Sequence, residues 1–201
     1  MTDRAEQDAA LGRRLFVAIP IPSPVRDAVT ALVDGVRGAS DPAVRDVRWV
    51  RLDGLHLTIR FLGPTEEEHV ADVASAVDRT AGAVSPFDVV IAGGGAFPSV
   101  ARPRALWLGV AEGATDLAAA AAALDDALAE VGWTRDERPY RAHLTLARSD
   151  GVRSGPAVAR RLIDAAAAVR EPFRAESLVL FESISGGGPA RYIPLHEARL
   201  G

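Results

Sequence analysis

The 201-residue chain contains no cysteine. Disulfides, thiol nucleophiles and cysteine-ligated zinc are therefore excluded. It contains no lysine either, since all 23 basic residues are arginine. In a chain this rich in alanine, that reads as codon bias, but it has chemical consequences. Without lysine the run AGGGAF at 92–97 cannot be a Walker A loop, and lysine Schiff-base chemistry is excluded. No apolar run approaches the roughly 20 residues that span a bilayer. The opening MTDRAEQDAALGRR is polar and mixed in charge, unlike a signal peptide. A cytoplasmic location is the default expectation. A net charge of −4 argues against a globally basic nucleic-acid coat. Any polyanion must be met by a local patch.

What is present is an alternation of strand and helix patterns. RLFVAI (14–19), VRWV (47–50), HLTIRFL (56–62), FDVVIAG (87–93), ALWLGV (105–110), HLTLA (143–147), SLVLFES (177–183) and RYIPL (191–195) read as strands, the last two as a hairpin. Ser23 followed by Pro24 marks a helix start, with Val25, Val29, Leu32, Val33 and Val36 at helical spacing. Thr65 and Glu68 form a capping-box pattern ahead of Val70, Val73 and Val77. Leu117, Leu124, Leu128 and Val131 form a third stripe, ended by Gly132. Pro156 opens a fourth, through Val158, Leu162, Ala166 and Val169. The glycine runs at 93–95 and 186–188 read as turns. Strand, helix, strand, helix, strand occurs twice, which suggests an internal duplication. Hairpins mixed with helices point to α+β rather than a doubly wound sheet. One domain over residues 1–201 is expected, made of two pseudo-symmetric lobes packed together.

Histidine is scarce, with four in the chain, yet His-Leu-Thr-aliphatic is spelled twice, at His56 and, 87 positions later, at His143. By average residue usage that sequence follows a histidine about once in a thousand cases. Duplication explains repeated apolar positions; it does not explain keeping both His and Thr, which are poor core residues. On a strand, His56 and Thr58 share one face while Leu57, Ile59 and Phe61 share the other. His143 and Thr145 likewise stand opposite Leu144 and Leu146. If a pseudo-two-fold axis relates the lobes, two imidazoles and two hydroxyls can face each other across one cleft, a common place for ligands. One neutral histidine can take a proton from a nucleophile while a protonated one gives a proton to a leaving oxygen. The threonines can donate to oxygens that gain charge. A phosphodiester with an internal leaving group suits this set without metal or cofactor. His-x-Thr supplies one metal ligand per strand, with no nearby Asp or Glu to complete a site and no H-E-x-x-H.

HLTIRFLG and RPYRAHLTLAR resemble the paired H-x-T-x motifs of the 2H phosphoesterase superfamily. Within it, the chain is most similar to the RNA 2′,3′-cyclic phosphodiesterases first described as 2′-5′ RNA ligases (the ThpR/LigT family). RLFVAI, ALWLGV and RYIPL resemble that family's segments in order, so the likeness covers nearly the whole chain. It implies a bilobal α+β fold, with two antiparallel sheets flanking a central cleft and helices outside. It implies that His56 is the proton donor, that His143 is the proton acceptor, and that Thr58 and Thr145 hold the phosphate. The family often reads Arg-Pro-Phe-x-Pro-His before the second motif; here Tyr140 and Ala142 replace the phenylalanine and second proline.

Arg60 shares a face with His56 if its strand is regular, which would aim it at the phosphate. Strict alternation sends Arg148 away from His143; a phosphate contact, as the family implies, requires the strand to end or bulge near Ala147. Tyr140 and Arg141 are candidate substrate contacts. Arg45, Arg48, Arg51, Arg135, Arg138 and Arg153 cluster near the motifs as candidate RNA-backbone contacts, although loop solvation suits most of them. Trp49 and Phe97 offer rings for stacking or for the core, with packing favoured. His69 reads as a surface residue, and no role attaches to His196.

The resemblance implies that the partner is RNA ending in a 2′,3′-cyclic phosphate and that cleavage leaves a 2′-phosphomonoester. No membrane and no obligate protein partner are expected. Rival readings are a 2′-5′ RNA ligase, a phosphodiesterase for a small cyclic nucleotide such as ADP-ribose 1″,2″-cyclic phosphate, and an RNA-end-binding module without turnover.

Overall fold

A computed structural model describes residues 12–38, 47–149, 155–186 and 188–201. Arg45 and Arg153 lie outside the described residues. Nine strands and four α-helices are described, in the order β1 (Arg13–Pro20), α1 (Ser23–Gly38), β2 (Arg48–Trp49), β3 (His56–Thr65), α2 (Val70–Ala83), β4 (Phe87–Phe97), β5 (Ala105–Glu112), α3 (Ala114–Ala129), β6 (His143–Arg148), α4 (Gly155–Ala166), β7 (Arg170–Ala175), β8 (Ser177–Ile184) and β9 (Arg191–Arg199). They build two sheets, β3-β1-β8-β9 and β2-β6-β5-β4-β7. Every pairing is antiparallel. The fold is α+β. No described helix is long and apolar enough to cross a membrane.

The sheets are not the two halves of the chain. β4, from the first half, enters the second sheet beside β5, and the hairpin β8–β9 crosses back to pair with β1. In both sheets the motif strand pairs with the strand one helix earlier in the chain: β3 with β1, and β6 with β5. The apolar stripes pack as their spacing predicts. Val25, Val29, Val33 and Val36 of α1, Leu117, Leu124 and Leu128 of α3, and Val158, Leu162 and Ala166 of α4 are all buried. They share one core with Leu57 and Ile59 of β3 and Leu144 and Leu146 of β6. Each fully buried leucine or isoleucine contributes about 1.5–3 kcal/mol.

Four local expectations are corrected. Thr65 does not cap α2: it ends β3, its hydroxyl donates to the Gly63 carbonyl, and a 3-10 turn at Glu67–His69 leads into the helix. The run 93–95 is not a turn but lies inside β4. Gly95 is needed there because a Cβ would sit 2.2 Å from the Trp107 ring. The α4 stripe stops at Ala166, and Arg170–Ala175 is an edge strand despite Pro172, since an edge position tolerates a missing donor. Phe61 is not on the apolar face: 59% of it is exposed. Register explains this last case. Ala18 pairs with Thr58 and Val17 with Arg60, so Ile59 is an extra, bulged residue. A bulge reverses the alternation beyond it, and Phe61 turns to the face that carries Thr58.

Candidate active site

The second motif strand repeats the same device. Trp107 pairs with Thr145 and Leu106 with Ala147, which leaves Leu146 as the extra residue. Leu146 and Ala147 are both buried, and Arg148 returns to the side of His143 and Thr145. The bulge that a phosphate contact by Arg148 requires is therefore present. Each motif thus reads His, Thr and a third group five residues after the histidine: Phe61 in one, Arg148 in the other. His56, Thr58, Phe61, His143, Thr145 and Arg148 line a single solvent-open cleft with Gly54 and Tyr192.

Both histidines are anchored in the same way. The Nδ1 of His56 lies 2.8 Å from the Gly54 carbonyl oxygen, and that of His143 lies 2.7 Å from the Arg141 carbonyl oxygen. A carbonyl can only accept, so each Nδ1 carries the proton and each Nε2 is left for the cleft. Rings back the imidazoles on both sides. His56 packs on Phe16 at 4.7 Å and meets Tyr192 edge-on at 4.9 Å; His143 meets Phe97 edge-on at 5.0 Å. Phe97 is thus a support for a histidine. Burial pushes the His56 pKa below the ordinary histidine value, the charge of nearby His143 adds to this, and the bond to Gly54 opposes it. These surroundings therefore favour neutral His56.

Tyr192 is the site residue that sequence reasoning missed. It reaches the cleft from β9 and packs against Gly54, where a Cβ would come within 2.9 Å of its ring. Burial raises its pKa, and Arg148 opposes that shift through its charge. A signal existed: Tyr140 and Tyr192 are the only two tyrosines in the chain; Tyr192 lines the cleft, and Tyr140 lines the groove beside it. The Tyr140 hydroxyl donates to the Thr58 carbonyl at 3.0 Å, linking the segment before His143 to the strand of His56. It does more than pack. Arg141 holds His143 through its carbonyl, and its guanidinium lies over the Phe97 ring, 5.9 Å from the centroid.

Arg60 does not enter the cleft. The bulge at Ile59 turns it to the opposite face, where it bonds Asp125 at 2.6 Å, Asp136 at 3.2 Å and the Thr134 carbonyl at 2.6 Å. With its guanidinium engaged there, Arg60 is not placed as a phosphate ligand in the cleft. Arg51, Arg135 and Arg138 are likewise engaged by Asp53, Asp126 and Asp136. Arg48 pairs in register with Arg148. Trp49 packs against the core. His69 is exposed beside Trp133, and His196 bonds Asp78 at 2.7 Å. A second groove runs past Thr58 and His143, and Arg60, Asp125, Asp136 and Tyr140 line it.

The sequence profile of the 2′-5′ RNA ligase superfamily matches residues 22–187. The chain belongs to the 2′-5′ RNA ligase superfamily. Among superfamily relatives, the RNA 2′,3′-cyclic phosphodiesterase of Archaeoglobus fulgidus is 33% identical over 135 residues, covering 67% of this chain and 72% of the relative. The crystal structure of TT0787 of Thermus thermophilus superposes with a TM-score of 0.73 at 26% identity, covering 93% of this chain and 97% of the other. E. coli LigT complexed with 3′-AMP gives 0.69 at 25% identity, covering 94% and 98%.

Proposed function

We propose that this protein is a phosphodiesterase that opens 2′,3′-cyclic phosphates at RNA ends, using His56 and His143 as an acid–base pair and no metal. The observation that carries this reading is the matched anchoring of the two imidazoles. Both have Nδ1 fixed on a backbone carbonyl and Nε2 left to one cleft that also holds Thr58, Thr145 and Arg148. The name carried by the relatives supports the substrate.

His143, as base, takes a proton from water, which attacks phosphorus. His56, as acid, protonates the departing ribose 3′ oxygen, and a 2′-phosphomonoester results. Thr58 and Thr145 donate to the non-bridging oxygens, and Arg148 balances the charge that accumulates on them. The acid role asks His56 to hold a proton that its burial discourages. A bound phosphodiester anion supplies the nearby negative charge that favours the imidazolium, so His56 protonation is coupled to substrate binding. The donor chemistry of the lining suits an anion rather than a cation: two imidazoles and an arginine, with no carboxylate among the described residues. Among the described residues, the three-residue group that could hold a metal, Glu66, Glu68 and His69, is exposed and does not line the cleft.

The test is turnover of an oligonucleotide ending in 2′,3′-cyclic phosphate in the presence of EDTA. Undiminished conversion to a 2′-phosphate supports the reading. Complete loss, restored by a divalent ion, overturns the metal-free mechanism.

A further inference from the structure

We infer that Arg60 is a positioning residue for the reaction: through Asp125, Asp136 and the Thr134 carbonyl it sets the His143 half of the site against the His56 half. The inference rests on the acid–base reading of the two histidines. Arg60 lies two residues after Thr58, on the strand that carries His56. Its partners all belong to the other motif's surroundings: Asp125 on α3, and Thr134 and Asp136 in the segment that runs into β6.

The three bonds use Nε, Nη1 and Nη2 separately, so the planar fork is held in one orientation. The side chain is only 13% exposed, and those of Asp125 and Asp136 are 19% and 27% exposed, so solvent screens the cluster less than an exposed pair. Downstream, the segment is knit by its own bonds. The Asp136 amide donates to Asp125 at 3.4 Å, and the Arg138 amide donates to Asp136 at 3.1 Å. Two residues later Tyr140 bonds the Thr58 carbonyl, and the next residue, Arg141, supplies the carbonyl that orients His143. A continuous path of hydrogen bonds and short chain segments thus runs from Arg60 to the His143 ring, meeting the cleft residues only at the Thr58 carbonyl and at His143 itself. An in-line displacement depends on both histidines meeting one phosphorus at the right separation, and small misplacements cost rate steeply.

The experiment compares Arg60→Ala, Asp125→Asn and their double variant with Arg148→Ala, reading kcat and KM on a cyclic-phosphate oligonucleotide and the Kd of inorganic phosphate. Arg60→Ala is expected to lower kcat about tenfold or more, with phosphate affinity within about twofold of wild type. Asp125→Asn should lower kcat in the same direction although it alters no group in the cleft. The double variant should be little worse than the worse single, because both act through one contact. Arg148→Ala should instead weaken phosphate binding. Should Arg60→Ala fail to fold, Arg60→Lys replaces it; one ammonium nitrogen does not reproduce the three separately placed donors of the planar fork, so kcat should still fall. The inference is overturned if folded Arg60 variants keep wild-type kcat, or if they lose phosphate affinity as Arg148→Ala does. An inactive wild-type protein would instead contradict the acid–base reading itself.

Discussion

His56 and His143 are held by the same hydrogen bond, Nδ1–H to the carbonyl two residues upstream, at 2.8 Å on Gly54 and 2.7 Å on Arg141. The two strands belong to different sheets. The bond fixes each ring's tautomer and aims the other nitrogen, which is what a proton donor and a proton acceptor both require. Because the two histidines act as a unit, their removal should not be additive. His56→Ala and His143→Ala should each lower kcat by about 10²-fold or more, and the double variant should fall little further. Steady-state kinetics on folded variants checks this; additive losses would mean that the residues act independently.

The activity should rise and fall with pH in a bell whose apparent pKa values belong to the pair. A flat rate between pH 5 and 9 would contradict paired acid–base work.

Folding stability should also report on His56. Its folded pKa lies below the unfolded value of about 6.5. The folded state therefore binds the proton less readily, and stability is lost as pH falls through that value toward the folded one. Replacing the residue by His56→Gln should shrink the difference in denaturant midpoint between pH 7.5 and pH 5. An unchanged difference would mean that burial costs the imidazolium nothing.

Arg148 stands two residues past the Leu146 bulge, on the side where phosphate charge needs an answer. Arg148→Ala should cost about 1.5–3 kcal/mol of kcat/KM, the usual worth of a charge-assisted bond. Arg148→Lys should restore part of that, because the charge remains but the fork is lost. Equal activity in all three proteins would remove Arg148 from the phosphate.

Gly95→Ala should destabilise the protein by about 1–3 kcal/mol, the typical cost of overpacking, because the added Cβ meets the Trp107 ring at 2.2 Å. Chemical denaturation measures it. Trp107 neighbours His143 at 6.4 Å between ring centroids, so kcat should fall as well. A neutral effect would mean that the indole has room to move.

The parts legible in the sequence were those set by periodicity and repetition. The stripe Val25–Val36 and the leucines around His143 announce their helix and strand, and the repeated His-Leu-Thr announces the pair. Alternation also failed in an informative way. Strict period two places Phe61 inside and Arg60 in the cleft; one bulged residue, Ile59, exchanges them. Arg148 differs because the sequence argument already named the bulge that it needed, and Leu146 provides it. Tyr192 was out of reach because its place depends on a long-range crossing, with β8–β9 returning to the first sheet. The swap of Phe87–Phe97 into the second sheet has the same cause: a pairing partner is chosen by three-dimensional packing, which local pattern does not encode.

The central claim, two histidines acting on one cyclic phosphate, is met most directly by locating the product phosphate. An oligonucleotide ending in 2′,3′-cyclic phosphate is incubated in EDTA with wild type, His56→Ala and His143→Ala. Wild type should leave a 2′-phosphate end, and each variant should form at least about 10²-fold less product. A folded variant that turns over at the wild-type rate would contradict that claim.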